Sequence, residues 1–443
     1  MQSLEQRKKK IKKRFYSKKL KKIDFFGMKG VYYIWWYIMQ HIIHRSNYLK
    51  KLIDVIGTKD IKVITGIRRC GKSELLNTFS AYLKENKDNN IIEVKLQQKQ
   101  FESFLKEDVL YDYVMSKYDS SKNNYLLVDE IQLAKNFEKA INYIYEENKF
   151  DIYITGSNAF LLSSDLATLF TGRTFQIHVY PFSFKEMINY YNYNNYNEAF
   201  DEYVKFGGFA GSYSYRNKED KYTYISNEIY NPIIQRDIVD RYKIKNTNTI
   251  ENISLYLFDN ISNLTSPNSI TRYLNTNHDD ITYKTVASYI DYIKRSFIVY
   301  EAKRYDLKGK KYLSTDSKYY LSDHSIRYAK NGVRNLDIGR VYENIVFIEL
   351  LRRGYEVYIG KLYEKEVDFV ATKFDEKIYI QVSNNINDEN TFNREIRPLL
   401  SIKDAYPKCI IAKTYQDEYS YEGVRIIDIV DWLTRWIIAY KDE

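Results

Sequence analysis

The sequence predicts an α/β protein whose first large domain is a parallel sheet carrying a phosphate-binding loop. Gly66–Ser73 matches a phosphate-loop pattern, Tyr125–Glu130 is an apolar run ending in two carboxylates, and Asp151–Asn158 is an apolar run ending in small polar groups. The carboxyl ends of parallel strands meet at one edge of a sheet, where ligands bind. The three segments therefore indicate one nucleotide site.

The loop has the sequence GIRRCGKS and fits the pattern G-x-x-x-x-G-K-[ST] without a mismatch. The β-branched run at 61–65 precedes it and predicts a buried strand, while 74–83 has apolar residues at helical spacing. Loop N–H groups and the positive end of the helix would hold phosphate oxygens. Lys72 is expected to reach the β- and γ-phosphates, and Ser73 to ligate Mg²⁺. The other residues expected to line the nucleotide are Gly66, Arg69, Cys70, Gly71 and Glu74.

The second and third segments supply the catalytic candidates. Asp129 would hold Mg²⁺ through water, and Glu130 would orient and polarise the attacking water. Asn158 is the first candidate for sensing the γ-phosphate and Ser157 the second, with a helix cap as the alternative. Arg173 is a candidate for a charge-stabilising arginine given to a neighbouring copy, with a surface ion pair as the alternative.

Together these segments resemble the prokaryotic AAA-type ATPases that end in a C-terminal domain of unknown function. The loop and the carboxylate strand correspond to the Walker A and Walker B motifs of that family. The segments that carry the resemblance are 64–73, 127–132, 155–158, 172–173, 181–186 and 207–209. The resemblance implies an AAA-like P-loop core, a helical lid, a winged-helix segment and a restriction-endonuclease-like C-terminal domain. It implies ATP and Mg²⁺ as ligands and no particular substrate.

A chain of 443 residues is long enough for several domains. We expect a basic and aromatic extension at 1–44, an ATPase domain at 45–185, a helical lid at 186–265, a winged-helix-like segment at 266–328 and a nuclease-like domain at 329–443. The alternation of strands and helices stops after Pro181, which favours the helical lid. Pro232 is expected in the first turn of a helix.

Within the winged-helix-like segment, helices are predicted at 269–274 and 282–293, with Thr282 as an N-cap. Strands are predicted at 297–302 and 318–323 around a basic loop. The second helix is a candidate for entering a DNA major groove. Packing against a neighbouring domain is the alternative.

The C-terminal segment resembles a nuclease fold that gathers a Glu, an Asp and an E-x-K triplet around Mg²⁺. Glu343 and Asp368 match the first two positions. The triplet position is held by residues 381–383, Gln-Val-Ser, which lack both the carboxylate and the lysine. The lysine helps to activate water, so we expect a degenerate domain that binds rather than cuts.

The charge distribution and the cysteine content indicate which partners and which cellular compartment suit the chain. Residues 1–30 carry 12 basic and 2 acidic residues, which accounts for the net charge of +10 and leaves 56 of each sign elsewhere. The basic stretch is a candidate for nucleic-acid or membrane-surface binding, and a disordered extension or a start at Met39 is the alternative. The cysteines, Cys70 and Cys409, suggest no disulfide framework, so a reducing cytoplasm is expected. No run of about 20 apolar residues predicts a transmembrane helix.

These patterns predict a Mg²⁺-dependent ATPase of the AAA type that couples ATP hydrolysis to domain movement on a partner, either DNA or protein. The alternatives are an ATP-gated DNA-binding regulator and an ATP-controlled nuclease. A role for Arg173 at a neighbour's site would require an oligomer.

Overall fold

The computed structural model describes the chain in the ranges 45–157, 170, 172–276, 281–309, 311–312, 316–332, 337–363 and 365–435. These residues belong to one compact unit. The expected extension at 1–44 and the candidate sensor Asn158 lie outside the described residues.

Five parallel strands form the first sheet, which confirms the predicted parallel core. They are β1 (Ile61–Thr65), β2 (Asn89–Lys95), β3 (Asn123–Asp129), β4 (Asp151–Gly156) and β5 (Thr174–His178), in the spatial order β2-β3-β4-β1-β5. The accompanying helices are α1 (Ser46–Asp54), α2 (Lys72–Leu83), α3 (Glu107–Ser116) and α4 (Phe137–Glu146), with 3₁₀ turns at Lys99–Leu105 and Ile131–Leu133. Apolar side chains of α2 cover one face of the sheet and those of α3 and α4 cover the other. Burial on both faces explains why the strands are nearly continuous apolar runs.

The strand order determines how the site is assembled. Strand β4 lies between β1 and β3, with Thr155 opposite Ile64 and Ile154 opposite Val128. The loop after β1 and the carboxylates after β3 are therefore separated by the end of β4. Side chains from that end are placed to contact both.

The next segment is helical, as the loss of strand patterns after Pro181 predicts. It contains α5 (Phe184–Tyr191), α6 (Tyr196–Phe206), a 3₁₀ turn (Ala210–Ser214), α7 (Lys218–Tyr224), two π-helical stretches (Ile225–Tyr230 and Ile233–Asp240) and α8 (Thr247–Asp259). Helix α7 and the π-helical stretches form one continuous long helix, residues 218–242.

The expectation that Pro232 begins a helix is wrong. Pro232 lies inside the long helix, between its two π-helical stretches. Proline lacks an N–H and its ring crowds the carbonyl one turn earlier, which the wider π-helical turns relieve.

The middle segment contains β6 (Leu264–Thr265), α9 (Pro267–Thr276), α10 (Tyr283–Arg295), β7 (Val299–Ala302), β8 (Arg304–Asp306), β9 (Lys311–Tyr312) and β10 (Ser317–Leu321). Strands β6, β10 and β7 form a three-stranded antiparallel sheet with β10 in the centre. The Thr282 side chain accepts the N–H of Thr285, as its predicted capping role requires.

The last segment contains α11 (Ser325–Asn331), α12 (Ile338–Arg352), β11 (Glu356–Leu362), β12 (Lys365–Lys373), β13 (Glu376–Ser383), α13 (Glu389–Leu400), β14 (Lys408–Ala412), β15 (Tyr419–Tyr421), β16 (Val424–Asp428) and α14 (Ile429–Thr434). Its strands form a mixed eight-stranded C-terminal sheet in the order β15-β16-β14-β13-β12-β11-β8-β9. Strands β8 and β9 come from the segment predicted as winged-helix-like, so the chain crosses between the two sheets three times, after β7, after β9 and after β10.

No helix in the described ranges is both long enough and apolar enough to cross a membrane.

Candidate functional site

The phosphate loop is held in a shape that only glycine permits at its first position. Gly66 has φ +146°, and a Cβ there would lie 2.0 Å from the carbonyl oxygen of Val179. Gly71 has φ +98° and forms the N-cap of α2. The loop therefore turns sharply from β1 into the first turn of α2, whose N–H groups have no partner within the helix. This combination is suited to phosphate oxygens.

Lys72 lies inside the loop with its side chain buried. Its Nζ donates to the carbonyl oxygens of Gly66, at 2.9 Å, and Ile67, at 3.1 Å. The ammonium therefore lies over the loop that would hold a triphosphate.

Ser73 and Asp129, the two residues predicted to hold Mg²⁺, are in direct contact. Ser73 Oγ, in the first turn of α2, donates to Asp129 Oδ1, at the end of β3, at 3.0 Å. A hydroxyl and a carboxylate in direct contact are a suitable pair of protein ligands for Mg²⁺ that arrives with a nucleotide. Within the described ranges, no group of three or more His, Cys, Asp or Glu side chains is arranged to hold a metal ion in the structure as it stands.

Thr155, which was not among the sequence candidates, joins the two carboxylate residues. Its hydroxyl donates to Asp129 Oδ1 at 2.6 Å and accepts the backbone N–H of Glu130 at 2.9 Å. The end of β4 thus fixes both residues at once.

Glu130 has a left-handed backbone, with φ +57°, and a buried side chain. Such a conformation is costly for a residue other than glycine, and it turns the carboxylate away from the direction of the strand. The side-chain amide of Gln132 donates to Glu130 and also to Ser157 Oγ at 3.2 Å. Ser157, the second candidate for phosphate sensing, is therefore linked to the catalytic candidate through Gln132.

The remaining loop candidates contribute in different ways. Arg69 makes an exposed ion pair with Glu228 at 3.1 Å, so its side chain points away from the loop. Burial raises the pKa of the Cys70 thiol, which keeps it neutral. The Glu74 carboxylate accepts from Asn77 Nδ2 at 3.0 Å on the exposed side of α2.

Arg173 does not join the site of its own chain. The following residue, Thr174, pairs with Ile61 at the start of β1, whereas the phosphate loop follows the end of β1. The Arg173 guanidinium forms an ion pair with Glu146. A role at a neighbour's site stays a prediction.

Sequence reasoning also missed Arg45, whose guanidinium is almost completely buried. Its Nη1 donates to the carbonyl oxygen of Cys70 at 2.8 Å, while Nε and Nη2 donate to the two oxygens of Glu186 at 2.8 and 2.9 Å. The fork of donors fixes the phosphate-loop backbone to the start of α5. The only sequence signal was a basic residue just before a helix, which is common.

A cavity of about 770 Å³ lies beside Glu130 and is closed on one side by the long helix. Its charged lining includes Arg68 from the phosphate loop with Arg236, Asp237 and Arg241 from the long helix. Burial raises the pKa of Asp237 to about 6. Charged groups of the phosphate loop and of the long helix therefore line the same cavity.

His178 connects the phosphate loop to the middle segment. Its ring nitrogens bond Thr65 Oγ1 at 3.0 Å and the hydroxyl of Tyr300 at 2.6 Å. Thr65 directly precedes Gly66, and Tyr300 lies on β7. Burial lowers the pKa of His178 from 6.5 to about 3 and keeps the ring neutral.

The neutral state of His178 predicts a pH dependence of stability. Between about pH 6.5 and about pH 3 the unfolded histidine binds a proton that the folded one does not, so acidification favours unfolding. In the wild type, this histidine makes the free energy of unfolding fall by about 1.4 kcal/mol for each pH unit of acidification in that range. The variant His178→Gln, which can keep both hydrogen bonds, should lose this contribution. Denaturant unfolding at several pH values measures it, and an unchanged slope in the variant would contradict the assignment.

In the C-terminal segment, Glu343 lies on α12 and Asp368 on β12. Both approach Lys318 of β10, whose Nζ is 3.1 Å from Glu343 Oε1 and 4.0 Å from Asp368 Oδ1. Gln381 Nε2 donates to Glu395 Oε2 at 2.8 Å. The structure thus places a lysine beside the two predicted acids, but from a different segment than the triplet position.

Two family models match the chain. A model described as an AAA domain matches residues 58–188, and one described as a domain of unknown function matches residues 197–337. The first covers the parallel sheet with the site, and the second covers the helical segment from α6 onward and the middle segment.

Two relatives are described as uncharacterized proteins. One, from Haemophilus influenzae, is 38% identical over 399 residues, which cover 88% of this chain and 98% of the relative. The other, from Methanocaldococcus jannaschii, is 29% identical and covers 86% of this chain and 88% of the relative. Among solved structures, AMPPCP-bound DnaA from Aquifex aeolicus matches with a TM-score of 0.30 and 17% identity, covering 57% of this chain and 88% of that one. A likeness at that TM-score supports no conclusion about function.

Proposed function

The chain belongs to the family of the Haemophilus influenzae protein and carries an AAA domain, and from this premise we propose that it hydrolyses ATP with Mg²⁺ and uses the cycle to move its helical segment. The observation that carries the proposal is the contact of Ser73 with Asp129 beside Lys72. Ser73 and Asp129 lie 56 positions apart in the chain, and only the fold brings them to one edge of the sheet. An ATP-dependent enzyme of this kind would work in the cytoplasm.

Each side chain has a distinct task in the proposed reaction. Lys72 exchanges the loop carbonyls for phosphate oxygens, and Ser73 and Asp129 hold the cation. The bound Mg²⁺ would neutralise charge on the β- and γ-phosphates. Glu130, held by Gln132, positions the attacking water and accepts its proton, while Thr155 fixes the Asp129 carboxylate and the Glu130 backbone. Positioning and charge stabilisation supply most of the rate in reactions of this type.

The long helix is the element that we propose to move. It lines the cavity beside Glu130, and Arg69 of the phosphate loop pairs with Glu228 on it. Loss of the γ-phosphate would change the charge that these groups face. The helical segment then acts as a lid, and the three-stranded sheet with α9 and α10 acts as a winged-helix-like segment that receives the motion through Tyr300 and His178.

The proposal also includes a role for the last segment and the assembly of several copies of the chain. We infer that the order α12-β11-β12-β13-α13-β14 is a restriction-endonuclease-like fold without cutting activity, because Gln381 and Ser383 stand at the triplet position. Arg173 lies at the sheet edge opposite its own phosphate loop, so it serves catalysis only from a neighbouring copy.

Steady-state ATP hydrolysis by Lys72→Ala tests the proposal. The variant removes the buried ammonium, so turnover should fall about 100-fold or more. Lys87→Ala, at an exposed position after α2, is the matched control and should keep the wild-type rate. Equal turnover in the Lys72 variant and the wild type would contradict the proposed site.

The partner is tested by adding DNA to the same assay. Stimulation of turnover by DNA would favour a DNA-acting motor or switch, and indifference would favour a protein partner. Cleavage of DNA with Mg²⁺ or Mn²⁺ that disappears in Asp368→Ala would overturn the inference that the last segment does not cut.

A further inference from the structure

A buried lysine from the middle segment enters a group of carboxylates in the C-terminal segment. Lys318 lies on β10, the central strand of the three-stranded sheet, and its side chain is only 6% exposed. Its Nζ lies 2.6 Å from Glu366 Oε1, 3.1 Å from Glu343 Oε1 and 4.0 Å from Asp368 Oδ1. Three carboxylates, one on α12 and two on β12, thus surround the ammonium of a lysine that lies on β10.

The carboxylates are held in place by further contacts. Tyr320 OH donates to Glu343 Oε1 at 2.5 Å, and the backbone N–H of Val382 donates to Asp368 Oδ2 at 2.8 Å. Glu343 and Asp368 therefore have partners besides Lys318 that keep them in position, as a preformed cation site would require. In the described part of the chain, all three make their ion pairs with Lys318.

Electrostatics favour a permanent positive charge at this point. Burial raises the pKa of Asp368 and of Glu343, since removal from water penalises a carboxylate. Burial alone would lower the pKa of Lys318, but the neighbouring Glu343, Asp368 and Glu366 raise it above its ordinary value. The lysine therefore stays charged, and the carboxylates depend on it for compensation.

The same strand is also fixed to the C-terminal segment at the residues that follow Lys318. The side chain of Asn344 accepts the N–H of Leu321 at 2.7 Å and donates to its carbonyl oxygen at 2.9 Å. The ring of Tyr320 stacks on Phe347 with centroids 4.1 Å apart. Strand β10 thus pairs with the strands of the three-stranded sheet, while the Leu321 backbone and the Lys318 and Tyr320 side chains contact the C-terminal segment.

We propose that the ammonium of Lys318 is the resident cation of this carboxylate site, where it takes the place of a divalent metal and ties the middle segment to the C-terminal sheet. The proposal is independent of ATP hydrolysis. It predicts that the folded chain binds no Mg²⁺ or Mn²⁺ at Glu343 and Asp368. It also predicts that removal of the lysine creates a site for a divalent cation, because three carboxylate oxygens lie within 4.0 Å of the position of Lys318 Nζ.

The test uses the nucleotide-free full chain carrying Asp129→Asn, which removes the other expected Mg²⁺ ligand. Mn²⁺ binding is followed by electron paramagnetic resonance, and the melting temperature is recorded with and without Mn²⁺. This parent chain should bind no Mn²⁺ at the carboxylate site. Adding Lys318→Met should lower the melting temperature by roughly 5 °C, and Mn²⁺ should bind once per chain and restore it.

A further variant combines Lys318→Met with Glu343→Gln and Asp368→Asn. It removes the ammonium together with two of the three carboxylate charges that surround it. It should recover the melting temperature without Mn²⁺ and should not respond to the metal. If it stays as unstable as the single lysine variant, charge compensation is not the role of Lys318, and the proposal fails. The parent chain alone also tests the proposal, even if no lysine variant folds. If the parent chain binds Mn²⁺ stoichiometrically and Asp368→Asn abolishes this binding, the proposal is overturned. A lysine variant that folds but ignores Mn²⁺ would overturn it as well.

Discussion

Glu130→Gln should leave ATP binding almost unchanged and lower turnover by about 100- to 1,000-fold. The amide has the shape of the carboxylate, so the left-handed backbone and the contact with Gln132 can persist. It cannot accept a proton from water or support the developing charge, and loss of one such group costs two to three orders of magnitude in rate. Ser73, Lys72 and Asp129 remain, so the nucleotide should still bind.

Two measurements separate chemistry from binding in this experiment. Single-turnover hydrolysis gives the rate of the chemical step, and titration with a fluorescent ATP analogue gives the affinity. Glu138→Gln is the matched control, since Glu138 lines the same cavity and is not placed to activate water. If the Glu130 variant keeps its turnover, or if it loses affinity as strongly as rate, Glu130 does not act as proposed.

The loop and its two flanking elements could be predicted from the sequence because their signals are local. Glycines at fixed spacing, a β-branched run and an amphipathic stretch are all contained within about 25 residues, and each prediction uses only neighbouring positions. The end of β3 was predicted for the same reason. The contact between Ser73 and Asp129 then followed from the general rule that parallel strands carry ligands at their carboxyl ends.

Thr155, Arg45 and Lys318 could not be found in this way. Thr155 acts on Asp129 and Glu130 because β4 is inserted between β1 and β3, and strand order is not encoded in any single segment. Arg45 acts through Glu186, which is 141 positions later in the chain. Lys318 was predicted only as part of a strand, and its partners come from α12 and β12 of the last segment, at least 25 positions later in the chain. Charged residues that become buried by long-range packing look like surface residues in the sequence.

Arg45→Met should destabilise the protein by about 3–5 kcal/mol. We expect this to be the largest loss of stability from replacing a single residue that the sequence alone would place at the surface. The change leaves the Glu186 carboxylate without the guanidinium that compensates its burial. It also leaves the Cys70 carbonyl without its 2.8 Å donor. Denaturant unfolding measures the loss. Arg435→Met, which breaks an exposed pair with Asp431, is the control and should cost less than about 1 kcal/mol.

A double variant separates the structural role of Arg45 from its effect on the phosphate loop. Arg45→Met with Glu186→Gln removes the uncompensated charge but keeps a side chain that can complete the capping box with Ser183. Most of the stability should return, since replacing both members of a buried pair costs far less than replacing one. ATP affinity should stay below that of the wild type, because the anchor of the Cys70 carbonyl is still missing. If affinity returns together with stability, Arg45 only stabilises the fold and does not position the loop.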